Sequence, residues 1–289
     1  MSTDNILDKV KKLRDLTGVG FKDCKNAIDE NKGDIEKSIE FLRKKGIAKA
    51  SKRMGRTAAE GLVCISEKAN AFSMIEINSE TDFVAKNKEF VNFSEEVSKI
   101  SLEKFGNMND ILKSKMKNNK NVNENLIDLV SKIGEKITLR RSAFLDNKNF
   151  INFSYIHSPV KKDIGKLGVL LSLETTKKKE EIANLGKQIA MQVASLSPLA
   201  IDKNDLDSNI INKEKEIINE ELKNTGKDSK IVEKIAEGKL NKFVAENSLL
   251  NQDWIIEPKK KVINAIKEVE GKDKIKIKQF VRYKVGEGL

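Results

Sequence analysis

Apolar residues in the first part of the chain recur at three- and four-residue intervals. Ile6, Leu7, Val10 and Leu13 share one helical face, with Asp4 placed to cap it. Leu16-Thr17-Gly18-Val19-Gly20 breaks that rhythm. A second helix carries Phe21, Cys24, Ala27 and Ile28 as far as Gly33. A third starts at Asp34, sets Ile35, Ile39 and Leu42 on one side, and is expected to stop before Gly46. The pattern predicts a three-helix unit of marginal stability alone, whose expected work is docking. Residues 47–56, with Lys49, Lys52, Arg53 and Arg56, read as a basic linker or fraying helix, the alternative being a strip facing phosphate or a partner.

The period then changes. Residues 62–65 and 72–77 read as the strands of a hairpin, with 67–70 as its loop. Next comes Ser79-Glu80-Thr81-Asp82-Phe83-Val84-Ala85-Lys86-Asn87, which sets an acid beside a large aromatic where strand gives way to helix. The following helix carries Phe90, Phe93, Val97 and Ile100. Phe83 precedes Phe90 by two helical turns, so periodicity alone assigns it to the core. Residues 117–125 read as a surface loop, Leu126, Leu129, Val130 and Ile133 as a helix ending at Gly134, and 137–141 as a strand or extended segment.

The order of elements repeats: strands at 150–157 and 166–173, then a helix carrying Ile182, Leu185, Ile189 and Val193. The second junction, Glu174-Thr175-Thr176-Lys177, has no aromatic. Ile210, Ile211, Ile217, Ile218 and Leu222, then after Gly226 Ile231, Val232, Ile235, Leu240 and Phe243, form thin apolar stripes on two charged helices. Such stripes suit a protruding helical hairpin. Lys259-Lys260-Lys261 reads as the solvated start of a helix with Val262, Ile263, Ile266 and Val269, and 281–285 as a last strand joining the second sheet. The expected class is α+β: a three-helix module and basic linker at 1–54, one core subdomain at 55–144, a second at 145–289, and an arm inserted at about 206–246. The core is a duplicated α+β unit with antiparallel sheets.

Composition narrows the function. Lys and Arg number 55 against 44 Asp and Glu, a net charge of +11, but the lysines are spread along the chain, many beside glutamate. Aromatics are only 5% of residues, little material for base stacking, so general solvated charge is favoured over a nucleic-acid site. No run approaches the roughly 18 apolar residues of a membrane span, and nothing at the start resembles an export signal, so a cytoplasmic protein is expected. Cys24 and Cys64 lack metal or redox spacing and read as buried small hydrophobes. The histidine inventory is His157 alone, by default a surface or packing residue. Gly165-Lys166, Gly226-Lys227 and Gly271-Lys272 lack the rest of a phosphate-binding loop, and Gly18-Val19-Gly20 has Asp23 where a dinucleotide fingerprint needs its third glycine. No cofactor, bound metal or covalent catalysis is expected.

Four blocks carry a family resemblance: Leu13-Arg14-x-x-Thr17-Gly18-x-Gly20 with Asp23-Cys24-Lys25 and Ala27; Gly33-Asp34-Ile35-Glu36; residues 81–87; and Phe280-Val281-Arg282-Tyr283-x-Val285-Gly286-Glu287-Gly288. In this order, from near residue 5 to 288, they resemble the translation elongation factor Ts family. The resemblance implies a guanine-nucleotide exchange factor that binds elongation factor Tu, GDP-bound and nucleotide-free, with a ubiquitin-associated-like module, a two-part core and a coiled-coil arm. It implies that Asp82 and Phe83, flanked by Thr81 and Val84, intrude near the partner's Mg²⁺ site. By the same resemblance, Leu13, Thr17, Gly18, Val19 and Gly20 are expected to lie in the module that grips the GTPase domain, and His157 to be a further contact. It reverses the placement of Phe83, now an exposed wedge, and requires the helix to break near Lys86-Asn87. Homodimerisation through the arm is left open. The rival is a basic ribosome- or RNA-associated protein, for which neither the Thr-Gly-x-Gly module nor the Asp-Phe loop is called for.

Overall fold

The computed structural model describes residues 6–17, 19–53, 55–146, 148–223 and 228–289; Asp4, Gly18, Gly226 and the side chains of Lys49 and Lys52 lie outside this description. The N-terminal periodicity becomes α1 (Ile6–Thr17), α2 (Phe21–Glu30) and α3 (Ile35–Arg53), packed around Val10, Leu13, Cys24, Ala27, Ile28 and Leu42. The third helix does not stop at Gly46, and most of the expected linker is helical. Gly46 is instead a point of close approach, where an added Cβ would stand 3.0 Å from Ser131 Oγ.

Alternation in β1 (Glu60–Lys68) and β2 (Ala71–Ser79) divides their side chains between two cores. The turn between them is tight, Ala69 and Asn70 both taking positive φ. Leu62, Cys64, Ile75 and Ile77 face the helices that follow: α4 (Asp82–Ala85), α5 (Lys88–Glu103), α6 (Met108–Lys113) and α7 (Val122–Ile133). Residues 122–125, expected in a loop, open α7 because Asn121 and Glu124 form a reciprocal capping box. Hydroxyl pairs join α5 to the sheet: Ser66 with Ser98, and Ser101 with both Ser73 and Ser142. After α7, β3 (Thr138–Leu145) pairs with β2.

The second half supplies β4 (Ile151–Lys161), β5 (Ile164–Glu174), α8 (Lys179–Leu196), the arm helices α9 (Ser208–Leu222) and α10 (Ser229–Asn247), the short pair β6 (Asp253–Trp254) and β7 (Glu257–Lys261), α11 (Val262–Glu270) and β8 (Lys276–Lys284). Lys259–Lys261 end β7, and Lys261 is also the N-cap of α11, so the expected helix start is present but is reached from a strand; Lys260 pairs with Glu257 and Glu268, and Lys261 with Asp253. Separate sheets were expected for the two halves. Among the described residues they are one antiparallel six-stranded sheet, ordered β3-β2-β1-β5-β4 with β8 also on β5. The joint is short, Val63 opposite Gly165 and Cys64 opposite Ile164.

Beyond that joint the halves lie face to face. Val63, Ile65, Phe72 and Met74 meet Leu170 and Tyr283 in a core between them. A Cβ on Gly168 would stand 2.7 Å from Val63 Cγ1 and 2.8 Å from Met74 Sδ, so this approach requires glycine. The opposite face of β5 packs Val169, Leu171 and Leu173 against α8 and α11. The arm is thin, as its stripes predict. Ile218 and Leu222 are buried, while Ile217 and Ile231 are more than half exposed.

Candidate functional site

Residues 81–87 leave one aromatic exposed because two helices meet there without fusing. Asn87 Oδ1 accepts from the N–H groups of Glu89 at 2.8 Å and Phe90 at 3.4 Å, starting α5 afresh. The N–H of Lys86 donates to Phe83 O and that of Asn87 to Val84 O, closing α4 after one turn. Helical phase is therefore lost between Phe83 and Phe90. Phe90 is fully buried, whereas Phe83 is 80% exposed. Val84 and Ala85 hold α4 to the core beneath β1, so the aromatic is turned outward by its buried neighbours. The periodicity-only placement of Phe83 is thus overturned, and the break near Lys86-Asn87 is present.

Asp82 Oδ2 accepts from Lys86 Nζ at 2.9 Å. That hydrogen bond, with the charges of Lys86 and Lys166, holds its carboxyl below the usual range. The loop base is bonded to the segment after α7. The N–H and hydroxyl of Thr81 donate to the two carboxylate oxygens of Glu135, at 2.9 and 2.7 Å. Glu80 accepts the N–H of Lys136 at 2.6 Å and pairs with the Arg56 guanidinium at 3.2 Å. Lys136 Nζ donates to Arg56 O at 2.7 Å. Neither Glu135 nor Lys136 was singled out from the sequence; the nearest signal is Gly134 just before them, left-handed at φ 91° as the cap of α7.

The N-terminal loop is shaped by its own polar groups. Thr17 Oγ1 donates to Leu13 O at 2.7 Å, Val19 N–H to Thr17 Oγ1 at 3.4 Å, and Cys24 Sγ to Val19 O at 3.4 Å. Burial pushes the Cys24 thiol up, so it acts as a neutral donor. Gly20 precedes α2, its carbonyl accepting from Asp23 and Cys24. Leu13 is fully buried in the module's core and presents no surface; it holds the loop from behind. Leu16, absent from the sequence-based set, is 61% exposed beside it.

Thr17 and Val19 line a cleft between the module and α5–α7, and Phe83 stands at the lip of a second concavity. The two are contiguous, for Glu89 and Lys132 line both and pair at 2.5 Å. The module is fixed across this cleft by Arg43 to Glu124 at 2.5 Å and by Arg53 to Val130 O at 2.9 Å. His157 is remote in topology, exposed on β4, its Nδ1 3.1 Å from Tyr155 Oη, and lines neither concavity. Among the described residues there is no group of three or more His, Cys, Asp or Glu arranged to hold a metal ion. Among them too, no helix is long and apolar enough to cross a membrane.

Fold and site define a class of α+β protein: a helical module docked on a two-faced antiparallel sheet, exposing an aromatic wedge and a helical arm. The family model described as Elongation factor TS matches residues 80–287, from the wedge to the closing segment. Proteins named elongation factor Ts are similar along nearly the whole chain. That of Nitrobacter hamburgensis is 42% identical, covering 97% of this chain and 92% of the relative. Those of Bartonella quintana and Rickettsia prowazekii are each 43% identical over 97% of this chain and 92% and 91% of their own. The chain belongs to the elongation factor Ts family.

Proposed function

We propose that this chain is a cytoplasmic guanine-nucleotide exchange factor, which binds elongation factor Tu in its GDP-bound form and speeds release of GDP. The observation that carries this reading is Phe83, a large aromatic left 80% exposed between the buried Val84 and Ala85 and a loop base bonded to Glu135. An aromatic of this size buries enough surface on a partner to contribute about 1.5–3 kcal/mol. Driven between partner helices, it displaces the elements that order ligands around Mg²⁺. Weakening the ion removes the charge that bridges the nucleotide's phosphates to their protein, and GDP leaves faster. Asp82, ionised and beside the wedge, disfavours the phosphate side of that site electrostatically. The step is release of a bound ligand, with no covalent bond made or broken in either protein.

Thr17, Val19 and Gly20, with Gly18 by resemblance, supply the module's grip on the GTPase domain, and the cleft shared with α5 and α7 supports placing that grip beside the wedge. His157 makes a separate contact from the second half. The chain works as a docking module at 1–54, a core subdomain at 55–144 and another at 145–289 carrying the arm at about 206–246. The contiguity of wedge and module loop favours exchange over RNA binding, for which neither is needed. Release of a fluorescent GDP from elongation factor Tu tests the reading. Acceleration by the full chain is expected, and an unchanged rate overturns it.

A further inference from the structure

Thr81 stands at the N-cap position of α4, where a threonine hydroxyl normally accepts a bond from the first turn of its own helix. Here no such bond is made. The hydroxyl and the backbone N–H are both turned to Glu135, at 2.7 and 2.9 Å. The preceding residue, Glu80, is held by the residue after Glu135, through the Lys136 N–H at 2.6 Å. Two consecutive loop residues thus engage two consecutive residues across the chain, and Arg56, just beyond α3, closes the lattice on Glu80. A carboxylate accepting two hydrogen bonds from one residue fixes both distance and orientation, which a single bond does not.

We propose that Glu135 is the positioning residue of the wedge: through Thr81 it sets the angle at which Phe83 enters the partner, and Thr81 itself is a strut of this clamp and not a contact. The proposal rests on the exchange function argued above. None of the clamp residues Arg56, Glu80, Thr81, Glu135 and Lys136 lines the concavity at whose lip Phe83 stands, so Glu135 acts on the reaction through the loop. Removing it leaves the module's cleft and the Phe83 side chain in place. Binding therefore persists while the wedge enters in a spread of orientations, and misplacement on the ångström scale costs up to about 100-fold in rate.

The test is GDP release from elongation factor Tu across a range of factor concentrations, giving a maximal rate and a half-saturating concentration for each variant. Glu135→Ala is expected to lower the maximal rate roughly tenfold, within that range, while half-saturation moves less than about twofold. Glu135→Gln keeps the volume but must turn its amide NH₂ toward one donor, so it recovers part of the rate. Thr81→Val combined with Glu135→Ala should lose no more than Glu135→Ala alone, because both act through one clamp. Should Glu135→Ala melt below the assay temperature, Glu135→Gln carries the same comparison. A wild-type maximal rate in the folded variants, a loss confined to half-saturation, or losses that multiply in the double variant overturns the clamp. Failure of the wild-type chain to accelerate release overturns the exchange function instead. Phe83→Ala tells these apart: if it is slow while Glu135→Ala and Glu135→Gln are unaffected, only the clamp falls.

Discussion

Phe83 and Phe90 are the same residue type two helical turns apart, yet one is 80% exposed and the other fully buried. Their substitutions should therefore separate function from stability. Phe83→Ala is expected to change unfolding free energy by less than about 0.5 kcal/mol, because little surface is lost from the fold. It should slow GDP release by roughly tenfold or more, as loss of an interface hot spot does. Phe90→Ala removes a packed ring and should cost about 3–5 kcal/mol in urea or thermal unfolding. Equal destabilisation by the two would return Phe83 to the core. The sequence alone could not make this distinction by periodicity, since what matters is the phase break at Asn87. That break is written there in a weaker script, an Asn at the N-cap with Glu two places on, and it is eclipsed by the stronger repeat of apolar positions.

Glu76 poses a second question at the residue scale. It is fully buried in β2, where burial pushes its carboxyl up, but the Gly286 N–H, Asn78, Arg141 and Arg140 together outweigh that and hold it below its ordinary value. A carboxyl lowered by folding contributes stability that is fully present above its unfolded pKa, near 4.3, and is lost as pH falls through the folded value. Unfolding free energy measured from pH 7 down to 3 should thus fall more steeply in the wild type than in Glu76→Gln, with the divergence beginning below about pH 5. Parallel curves would remove Glu76 from this role.

At the scale of elements, the helical module, both hairpins and the arm were legible because each carries its own period. What escaped was set by contacts distant in sequence. Gly46 resembles a helix stop, yet α3 passes through it because the glycine admits Ser131 of α7. Residues 122–125 resemble a polar loop, yet a capping box converts them to the first turn of α7. Asn121→Ala removes that box and is expected to lower stability by about 1 kcal/mol, seen as a shift in the denaturation midpoint at unchanged slope. The lysines of residues 259–261 were legible as the approach to α11 but not as a strand, because Lys261 is set beside Asp253 by β6–β7 pairing and Lys260 beside Glu268 by α11.

Across the whole molecule, the α+β class and the duplicated order were readable, but the single sheet was not. Its continuity depends on two residue pairs, Val63 with Gly165 and Cys64 with Ile164, too short a register to leave a periodic trace. Wedge and module cleft adjoin on the first half, through Glu89 and Lys132, which line both concavities. For the proposed function, linkage requires GDP to weaken factor binding by the same factor by which the factor weakens GDP binding. Titrating the complex of this chain and elongation factor Tu with GDP should show that reciprocity. Independence of the two affinities would contradict exchange.

The bond from the Gly286 N–H to Glu76 Oε1, at 2.9 Å, has a consequence for the order of synthesis. Glu76 is made early, but one of its partners follows it by 210 residues, and Tyr283, stacked under Arg141 at 4.2 Å, is made similarly late. A growing chain that has completed β3 holds a carboxylate whose burial is only partly compensated. The first half is therefore expected to stay open to water and protease on the ribosome until the closing segment emerges, then to lock in a single late step.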